Sequence, residues 1–220
     1  GAEFNVWENL ADSESYKTAF KYVADYFHKR NPNVAMVWSP SATSKWGLSR
    51  DDYYPGDSYV DWVGVSLYSG KYFRGNKTAD GFDEIYFKSG VNSDPVIAID
   101  DIVKTYGSRK PIMVSESGAG HTLMSNGEKM SDFALLRLKE LYHYIPIVYP
   151  QIKLMAHFDA YANDVYDYRL STDTILQNEY LALTKGRRFI QDKHSDTVET
   201  VYNPIDNGMW VESVFEVATY

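Results

Sequence analysis

A short apolar run that ends in a carboxylate constrains the fold of this chain more than any other feature. Pro111 to Val114 is continuously apolar and is followed by Ser115, Glu116 and small, turn-forming residues. A run of that length predicts a strand that is buried on both faces of a parallel sheet. Because α/β folds keep functional groups at the carboxyl ends of such strands, Glu116 is the first candidate site residue.

Strand and helix patterns alternate along the rest of the chain. Strands are predicted at 1–5, 34–38, 60–68, 111–116 and 152–158. Helices are predicted from Asp12 or Ser13 to before Pro32, from Asp94-Pro95 to just before Gly107, from Ser131 to Ile145 and from Ile175 to Ile190. Each connection is long enough for a right-handed crossover, which predicts parallel strands. The short, evenly recurring units favour a (β/α)8 TIM barrel over a doubly wound sheet.

Counting back from the last helix gives the expected domain organisation. The strands would be the fourth to the eighth, so residues 1–192 are expected to form the C-terminal part of a (β/α)8 barrel. Half a barrel exposes two sheet edges, and we therefore expect it to need the missing N-terminal barrel half or another chain. Residues 193–220 alternate like β structure and predict a β-rich tail, either the start of an accessory β-sandwich or a simple β-extension packed on the barrel.

Composition and charge exclude several classes of partner. The net charge is −8 and no basic stripe is present, which argues against nucleic acid as a ligand. Zero Cys excludes disulfides and thiolate metal sites, and no apolar run approaches about 20 residues, so no membrane insertion is expected. The chain is 15% aromatic, with 19 Tyr and 5 Trp. Many of these rings would pack in the core, and those in loops after strands suit a site that stacks on sugar faces.

Glu3 and Glu116 form a pair of carboxylates that are far apart in sequence. They lie at the ends of the predicted fourth and seventh strands, which face each other across one rim of a barrel. A retaining glycosidase holds two such groups about 5 to 5.5 Å apart, one as nucleophile and the other as acid and then base. Glu3 could equally be a solvated residue near a frayed terminus. A buried, unpaired Glu116 would be costly, which favours a functional or hydrogen-bonded role for it.

Aromatic and polar residues near the predicted strand ends complete the candidate site. Tyr68 could donate to Glu116 and keep it ionised, or its ring could simply pack at the rim. Asn5 could contact a sugar hydroxyl or serve only as a turn residue. The candidate substrate-binding residues are side chains that could stack on or hydrogen-bond to a sugar: Asn5, Trp7, Trp38, Trp46, His121, His157 and Tyr161.

The sequence predicts no metal and no cofactor. His121 and His157 have no partner at metal-ligand spacing. Asp159, Asp164 and Asp167 lack the Gly and the closing Glu of a calcium loop, so a solvated acidic loop is expected. A Gly-x-Ser-x-Gly elbow and a phosphate-binding Gly loop are also absent from the sequence.

Four blocks of sequence carry a family resemblance. They are Glu3-Phe4-Asn5 with Trp7, Val37-Trp38-Ser39-Pro40, Tyr54-Pro-Gly-Asp-x-Tyr-Val-Asp-Trp-Val-Gly-Val65 with Tyr68, and Lys110-Pro-Ile-x-x-x-Glu116. Together they resemble glycoside hydrolase family 26, in its clan of retaining (β/α)8 enzymes. The resemblance runs from Gly1 to about Ile190, and the third block is its most specific part.

The resemblance implies a secreted or cell-surface, endo-acting β-glycanase that cuts a polysaccharide without a cofactor. Its substrate would most often be β-mannan, and in some relatives mixed-linkage β-glucan or β-1,3-xylan. The resemblance implies Glu3 as acid/base, Glu116 as nucleophile and Tyr68 as the hydroxyl that orients Glu116. The family usually has His before the acid/base Glu, where this chain has Ala2, and that departure bears on mannan specificity. The alternatives are a catalytically silent, carbohydrate-binding barrel and, more weakly, a structural or adhesion module.

Overall fold

A computed structural model of the chain describes residues 12–40, 42, 49–71, 95–162, 166–185, 189–190 and 216–218. The strand predicted at 1–5 lies outside these residues. So do five residues singled out from the sequence: Glu3, Asn5, Trp7, Trp46 and Asp164.

Five helices and ten strands lie within the described residues. The helices are α1 Ser13–Arg30, α2 Pro95–Tyr106, α3 Ser131–Lys139, α4 Ile145–Val148 and α5 Thr174–Thr184. The strands are β1 Val37–Trp38, β2 Trp62–Ser69, β3 Ile112–Ala119, β4 Thr122–Leu123, β5 Glu128–Lys129, β6 Ile152–Met155, β7 Tyr161–Ala162, β8 Tyr166–Asp167, β9 Phe189–Ile190 and β10 Glu216–Ala218.

The main sheet has the strand order β1-β2-β3-β6-β10-β9. Its first four strands are parallel: Val63 pairs with Ile112, and Ile112 pairs in turn with Ile152. Helix α2 connects β2 to β3, and α3 and α4 lie between β3 and β6, while the described part of the connection from β1 to β2 holds a short 3₁₀-helix at Arg50–Tyr53. This order confirms the predicted α/β class with a parallel sheet. A second, antiparallel sheet, β5-β4-β8-β7, is built from the segments that follow β3 and β6, and it therefore lies at the carboxyl ends of those strands.

The end of the described chain departs from the parallel pattern. Within β10, Val217 pairs antiparallel with Leu154 of β6 and with Ile190 of β9. The last helix ends at Thr184, and the prediction that it continues to Ile190 is wrong. Gly186 is an ordinary helix stop signal that the prediction overlooked. The proposed division between residues 192 and 193 stays a prediction.

Helix α1 begins where the sequence predicts. The Asp12 carboxylate accepts hydrogen bonds from the backbone N–H groups of Glu14 and Ser15 at 3.1 and 3.2 Å, which caps the first turn. The apolar spacing of α1 predicts Val23 in the core, but Val23 is 40% exposed, while Ala24 is fully buried. The two positions lie about 100° apart around the helix axis, so the face that α1 buries is turned from Val23 towards Ala24.

The other helices bury the apolar faces that their helical spacing predicts. Ile99, Ile102, Val103 and Tyr106 of α2 are buried, as are Ala134, Leu138, Leu141 and Ile145 along α3 and α4. A π-helical turn at Glu140–Tyr144 separates α3 from α4. Pro146 explains the irregularity, because it has no N–H with which to continue the α-helical hydrogen bonds.

A β-bulge in β3 sets the direction of the site side chains. Val65 pairs with Val114 and Ser66 pairs with Glu116, so Ser115 is the extra residue. The Ser115 hydroxyl is hydrogen-bonded to that of Ser39 above Gly64. A glycine inside a strand predicts a close approach of the backbone, and a Cβ at Gly64 would indeed lie 2.7 Å from Ser39 Oγ.

Candidate active site

Glu116 projects into solvent from the middle of β3. The strand was expected to end near this residue, but it continues through Ser117 to Ala119, where the small residues pair with β2. The expectation of a buried carboxylate is also wrong, because Glu116 is exposed. The bulge at Ser115 shifts the alternation of the strand, so that Glu116 faces solvent while the neighbouring Ser117 is fully buried.

The Tyr68 hydroxyl donates a hydrogen bond to Glu116 Oε2 at 2.8 Å. Tyr68 lies on the adjacent parallel strand β2 and is half-buried. Burial, followed by the negative charge of Glu116 and the hydrogen bond to it, raises the pKa of Tyr68 well above its usual range. The hydroxyl therefore keeps its proton at physiological pH and acts as a fixed donor to the carboxylate.

Two aromatic rings hold Tyr68 in place. Phe158 packs edge-on against Tyr68 with 5.5 Å between ring centroids, and Tyr168 does so at 5.4 Å. Phe158 follows β6, and its N–H donates to the Ser117 carbonyl at 2.7 Å. The same segment after β6 thus braces both Tyr68 and the strand that carries Glu116.

Three of the predicted substrate-binding residues are buried, and the structure corrects these predictions. Trp38 is 1% exposed and packs edge-on against Tyr54 and Tyr106. It is therefore a core residue, and no face of its ring is open to a sugar. Its neighbours come from the loop before β2 and from α2, which a local pattern cannot reveal.

His121 and His157 are also enclosed by protein. His121 is fully buried, with Nδ1 2.8 Å from the Thr122 hydroxyl and Nε2 3.0 Å from the Arg169 carbonyl. His157 is 6% exposed and is hydrogen-bonded through both ring nitrogens. Both side chains are therefore structural, and neither presents a free nitrogen to a substrate.

Tyr161 is the one described member of the predicted aromatic platforms that is open to solvent. It is 54% exposed and lies on β7, at the carboxyl ends of the parallel strands. The Arg169 guanidinium lies 5.2 Å from the ring centroid and holds one side of the ring. Tyr161 is thus accessible to a ligand, and its role in stacking on a sugar stays a prediction.

Asp167 corrects the prediction of a solvated acidic loop. It is 6% exposed and accepts two hydrogen bonds from the Arg169 side chain, each at 2.9 Å. Burial alone would raise the pKa of Asp167, but hydrogen bonds from the Arg169 side chain and N–H, together with nearby His121 and Arg169, lower it to about 2. Asp167 therefore fixes the Arg169 side chain that lies against Tyr161. Asp159, by contrast, is exposed as predicted.

Sequence reasoning missed several residues that shape this site. Ser117, Tyr142 and Tyr168 are buried around the base of Glu116 and Tyr68, and they were not singled out. The short spacing of Asp167 and Arg169 was a usable signal for an ion pair. The contact between Tyr142 and His157 joins a helix to a strand end and has no sequence signature.

Other kinds of site find little support in the described parts of the chain. No group of three or more His, Asp or Glu side chains there could hold a metal ion. None of the helices in the described ranges combines the length and the apolar character that a bilayer crossing requires.

Comparison with known proteins places this chain in a family. The sequence model of glycosyl hydrolase family 26 matches residues 3–121. Solved structures that resemble the chain include a Cellulomonas fimi endo-beta-1,4-mannanase double mutant, with 17% identity, a TM-score of 0.49 and coverage of 83% of this chain and 38% of that one. A GH26 beta-mannanase from Bacteroides ovatus has 19% identity, a TM-score of 0.44 and coverage of 80% and 44%.

A beta-glucuronidase from Bacteroides uniformis also resembles the chain, with 17% identity, a TM-score of 0.46 and coverage of 78% of this chain and 20% of that one. At these identities and TM-scores the structural likenesses carry no argument about activity. The chain spans 20% to 44% of the length of these three proteins. A search of the curated proteins found no match.

The family match settles the class of protein. It spans residues 3 to 121, which is 119 of 220 residues and more than half of the chain. Glu3, Tyr68 and Glu116 all lie inside the matched segment. Together with the parallel sheet and its connecting helices, the match confirms the predicted fold, a (β/α)8 barrel present in part. The chain belongs to glycosyl hydrolase family 26.

Proposed function

We propose that this chain carries the catalytic pair of a retaining, endo-acting β-glycanase whose substrate is β-mannan. The observation that supports the proposal most strongly is the hydrogen bond from Tyr68 to the exposed Glu116. A carboxylate that is open to solvent, and that is held by a neutral donor, is suited to attack an anomeric carbon.

In the proposed mechanism, Glu116 is the nucleophile. Its free oxygen attacks the anomeric carbon while Glu3 protonates the departing glycosidic oxygen, which yields a glycosyl-enzyme. Glu3 then takes a proton from water, and the water displaces Glu116 with overall retention. Glu3 lies outside the described residues, so its role rests on the family match and on its position in the sequence.

Substrate binding would involve the rim around these carboxylates. Tyr161 is the described candidate for stacking on a sugar ring, and Asn5, Trp7 and Trp46 are candidates outside the described residues. A polysaccharide cannot cross a membrane, so we also propose that the protein acts outside the cell or at its surface. The need for the remaining barrel strands or for another chain stays a prediction.

The experiment is an assay on β-mannan, mixed-linkage β-glucan and β-1,3-xylan, in which the chain is joined to the barrel strands that it is expected to need. New reducing ends with an early fall in viscosity on mannan would support an endo-mannanase. Release of reducing sugar from one of the other polymers instead would change the proposed substrate but not the proposed reaction. Glu3→Gln should abolish polymer cleavage but still allow the glycosyl-enzyme to form from aryl glycosides with good leaving groups, since that step then needs no acid. Hydrolysis of the glycosyl-enzyme should be slow in this variant, because the base that activates water is lost. Sugar binding without release from any polymer would overturn the proposal in favour of a silent carbohydrate-binding barrel.

A further inference from the structure

A network of buried polar groups lies behind Glu116, on the core side of β3. Its members are Ser117, Tyr142 and His157, with exposures of 0%, 2% and 6%. The Ser117 hydroxyl donates to the Ala156 carbonyl at 2.8 Å and lies 3.1 Å from the Tyr142 hydroxyl. The Tyr142 hydroxyl lies 3.2 Å from His157 Nδ1, and His157 Nε2 lies 3.4 Å from the Tyr168 carbonyl.

The imidazole in this network is neutral. Burial is the largest effect and lowers the pKa of His157 to about 4, although Asp159 and the Tyr168 carbonyl act in the opposite direction. A single N–H on Nε2 donates to the Tyr168 carbonyl, and Nδ1 then accepts from Tyr142. Both ring nitrogens are satisfied by this arrangement without a buried charge.

The surroundings of the network are otherwise apolar and aromatic. The Tyr142 ring packs edge-on against Tyr180 at 4.9 Å and lies 6.2 Å from Phe189. Placing hydroxyl and imidazole groups here is costly unless each group finds a partner. A polar network in a core whose hydrogen bonds are all made favours one packing arrangement over its alternatives. The elements that such a network joins are therefore the ones whose relative position it fixes.

The network contacts both the strand that carries Glu116 and the residues whose rings pack against Tyr68. Ser117 follows Glu116 in β3, and its side chain and carbonyl are tied to the segment after β6 by bonds to the Ala156 carbonyl and the Phe158 N–H. His157 lies between those two residues and holds the carbonyl of Tyr168. The rings of Phe158 and Tyr168 are the two that pack against Tyr68.

We propose that Tyr142 and His157 are positioning residues that hold the Tyr68 hydroxyl within hydrogen-bonding distance of the Glu116 carboxylate. Tyr142 comes from the π-helical turn before α4. Its hydroxyl donates to His157 in the segment after β6 and lies in contact with the Ser117 hydroxyl of β3. The effect of these residues on kcat rests on the proposed function, whereas their effect on the environment of the Tyr68 hydroxyl does not.

Tyr142→Phe tests the proposal by removing only the hydroxyl. The matched control is Tyr106→Phe, because Tyr106 is also 2% exposed and its hydroxyl donates to Asp51 at 2.8 Å. Tyr106 belongs to the aromatic cluster around Trp38, and the network contacts described above do not include it. A general loss of core stability would affect both variants alike.

The first readout is the ¹³C signal of the Tyr68 ring carbon that bears the hydroxyl, in protein made with labelled tyrosine. Tyr68→Phe assigns the signal, and Glu116→Gln shows how far it moves when the charged partner is lost. We expect Tyr142→Phe to move the Tyr68 signal in the same direction and Tyr106→Phe to leave it in place. An unmoved Tyr68 signal in folded Tyr142→Phe would overturn the proposal.

The second readout is kinetic, on the polymer that the wild-type chain cleaves. We expect Tyr142→Phe to lower kcat about 10-fold with little change in KM, because misplacing a reacting group affects the chemical step more than binding. His157→Gln, which keeps a neutral donor and acceptor, should retain more of kcat than His157→Phe. Equal kcat losses in Tyr142→Phe and Tyr106→Phe would overturn the proposal. A wild-type chain that cleaves no polymer would refute the proposed function alone, since the Tyr68 signal would still decide this inference.

Discussion

Tyr68 and Glu116 lie on adjacent parallel strands, and the Tyr68 hydroxyl donates to Glu116 Oε2 across 2.8 Å. Glu116 is in register with Ser66, two residues before Tyr68, because the bulge at Ser115 shifts β3 by one residue. The bulge is fixed by the contact between Ser115 and Ser39 above Gly64. A local irregularity of the sheet therefore determines which way the proposed nucleophile points.

Glu116→Gln should reduce turnover by several orders of magnitude without unfolding the protein. The side chain is exposed, so its substitution removes the nucleophile and leaves the core unchanged. The measurement is kcat on the cleaved polymer together with the melting temperature. Glu179→Gln is the control. Glu179 of α5 forms a surface ion pair with Lys139 of α3 at 3.6 Å, and the Glu179→Gln variant should keep wild-type kcat. Persistent turnover in Glu116→Gln would remove this residue from the mechanism.

Tyr68→Phe should lower kcat by about 10- to 100-fold, because a hydrogen bond to a charged group contributes about 1.5 to 3 kcal/mol. Tyr54→Phe is a matched control: the Tyr54 hydroxyl donates to the Asp57 carboxylate at 2.6 Å, in the segment that precedes β2. It should leave kcat unchanged. Comparable kcat values for Tyr68→Phe and the wild type would mean that the hydroxyl is not required to orient Glu116.

Tyr161→Ala should raise KM for the polymer about fivefold, since stacking of an aromatic ring contributes about 1 kcal/mol. The control is Tyr26→Ala on α1. Tyr26 is 45% exposed and also has an arginine over its ring, with Arg30 at 4.1 Å from the centroid. Its loss should not change KM. An unchanged KM in Tyr161→Ala would show that the ring lies outside the substrate path.

Asp167 should make the fold sensitive to acid. Its pKa is lowered to about 2 in the folded state from an ordinary value of 3.8, so its stabilising effect is complete above about pH 4 and is lost as the pH falls towards 2. The shift corresponds to about 2 kcal/mol of folding free energy.

Urea unfolding of Asp167→Asn and wild type at several pH values measures this effect. The variant should be less stable by about 2 kcal/mol at neutral pH, and the difference should shrink as the pH falls below 4. Asp25→Asn, on the exposed side of α1, should follow the wild-type curve. A constant difference between Asp167→Asn and wild type across this range would contradict the account.

Features set by local periodicity could be predicted from the sequence. The buried face of α2 follows from its helical spacing, and Gly64 marked the close approach of Ser39 because a glycine inside a strand is otherwise unfavourable. The neighbourhood of Tyr68 and Glu116 followed from the expectation that consecutive strands of an α/β unit pair in parallel.

Features set by long-range packing could not be predicted in the same way. Trp38 and His157 both stand at or near strand ends, where sequence patterns favour a site, but the side chains that cover them come from distant segments. The bulge at Ser115 has no signature in a run of otherwise ordinary strand residues. It reverses the expected burial of Glu116, which is why the sequence predicted a buried carboxylate and the structure shows an exposed one.

The most direct test of the central claim is covalent labelling of the chain by a 2-deoxy-2-fluoro-β-mannosyl oligosaccharide with a good leaving group. The fluorine slows release of the glycosyl-enzyme, so that peptide mass spectrometry can locate the sugar. The account predicts one adduct, on the peptide that contains Glu116, and its absence in Glu116→Gln. Turnover of polymer with inversion of configuration, or an adduct on a different carboxylate, would contradict the claim that Glu116 is the nucleophile of a retaining enzyme.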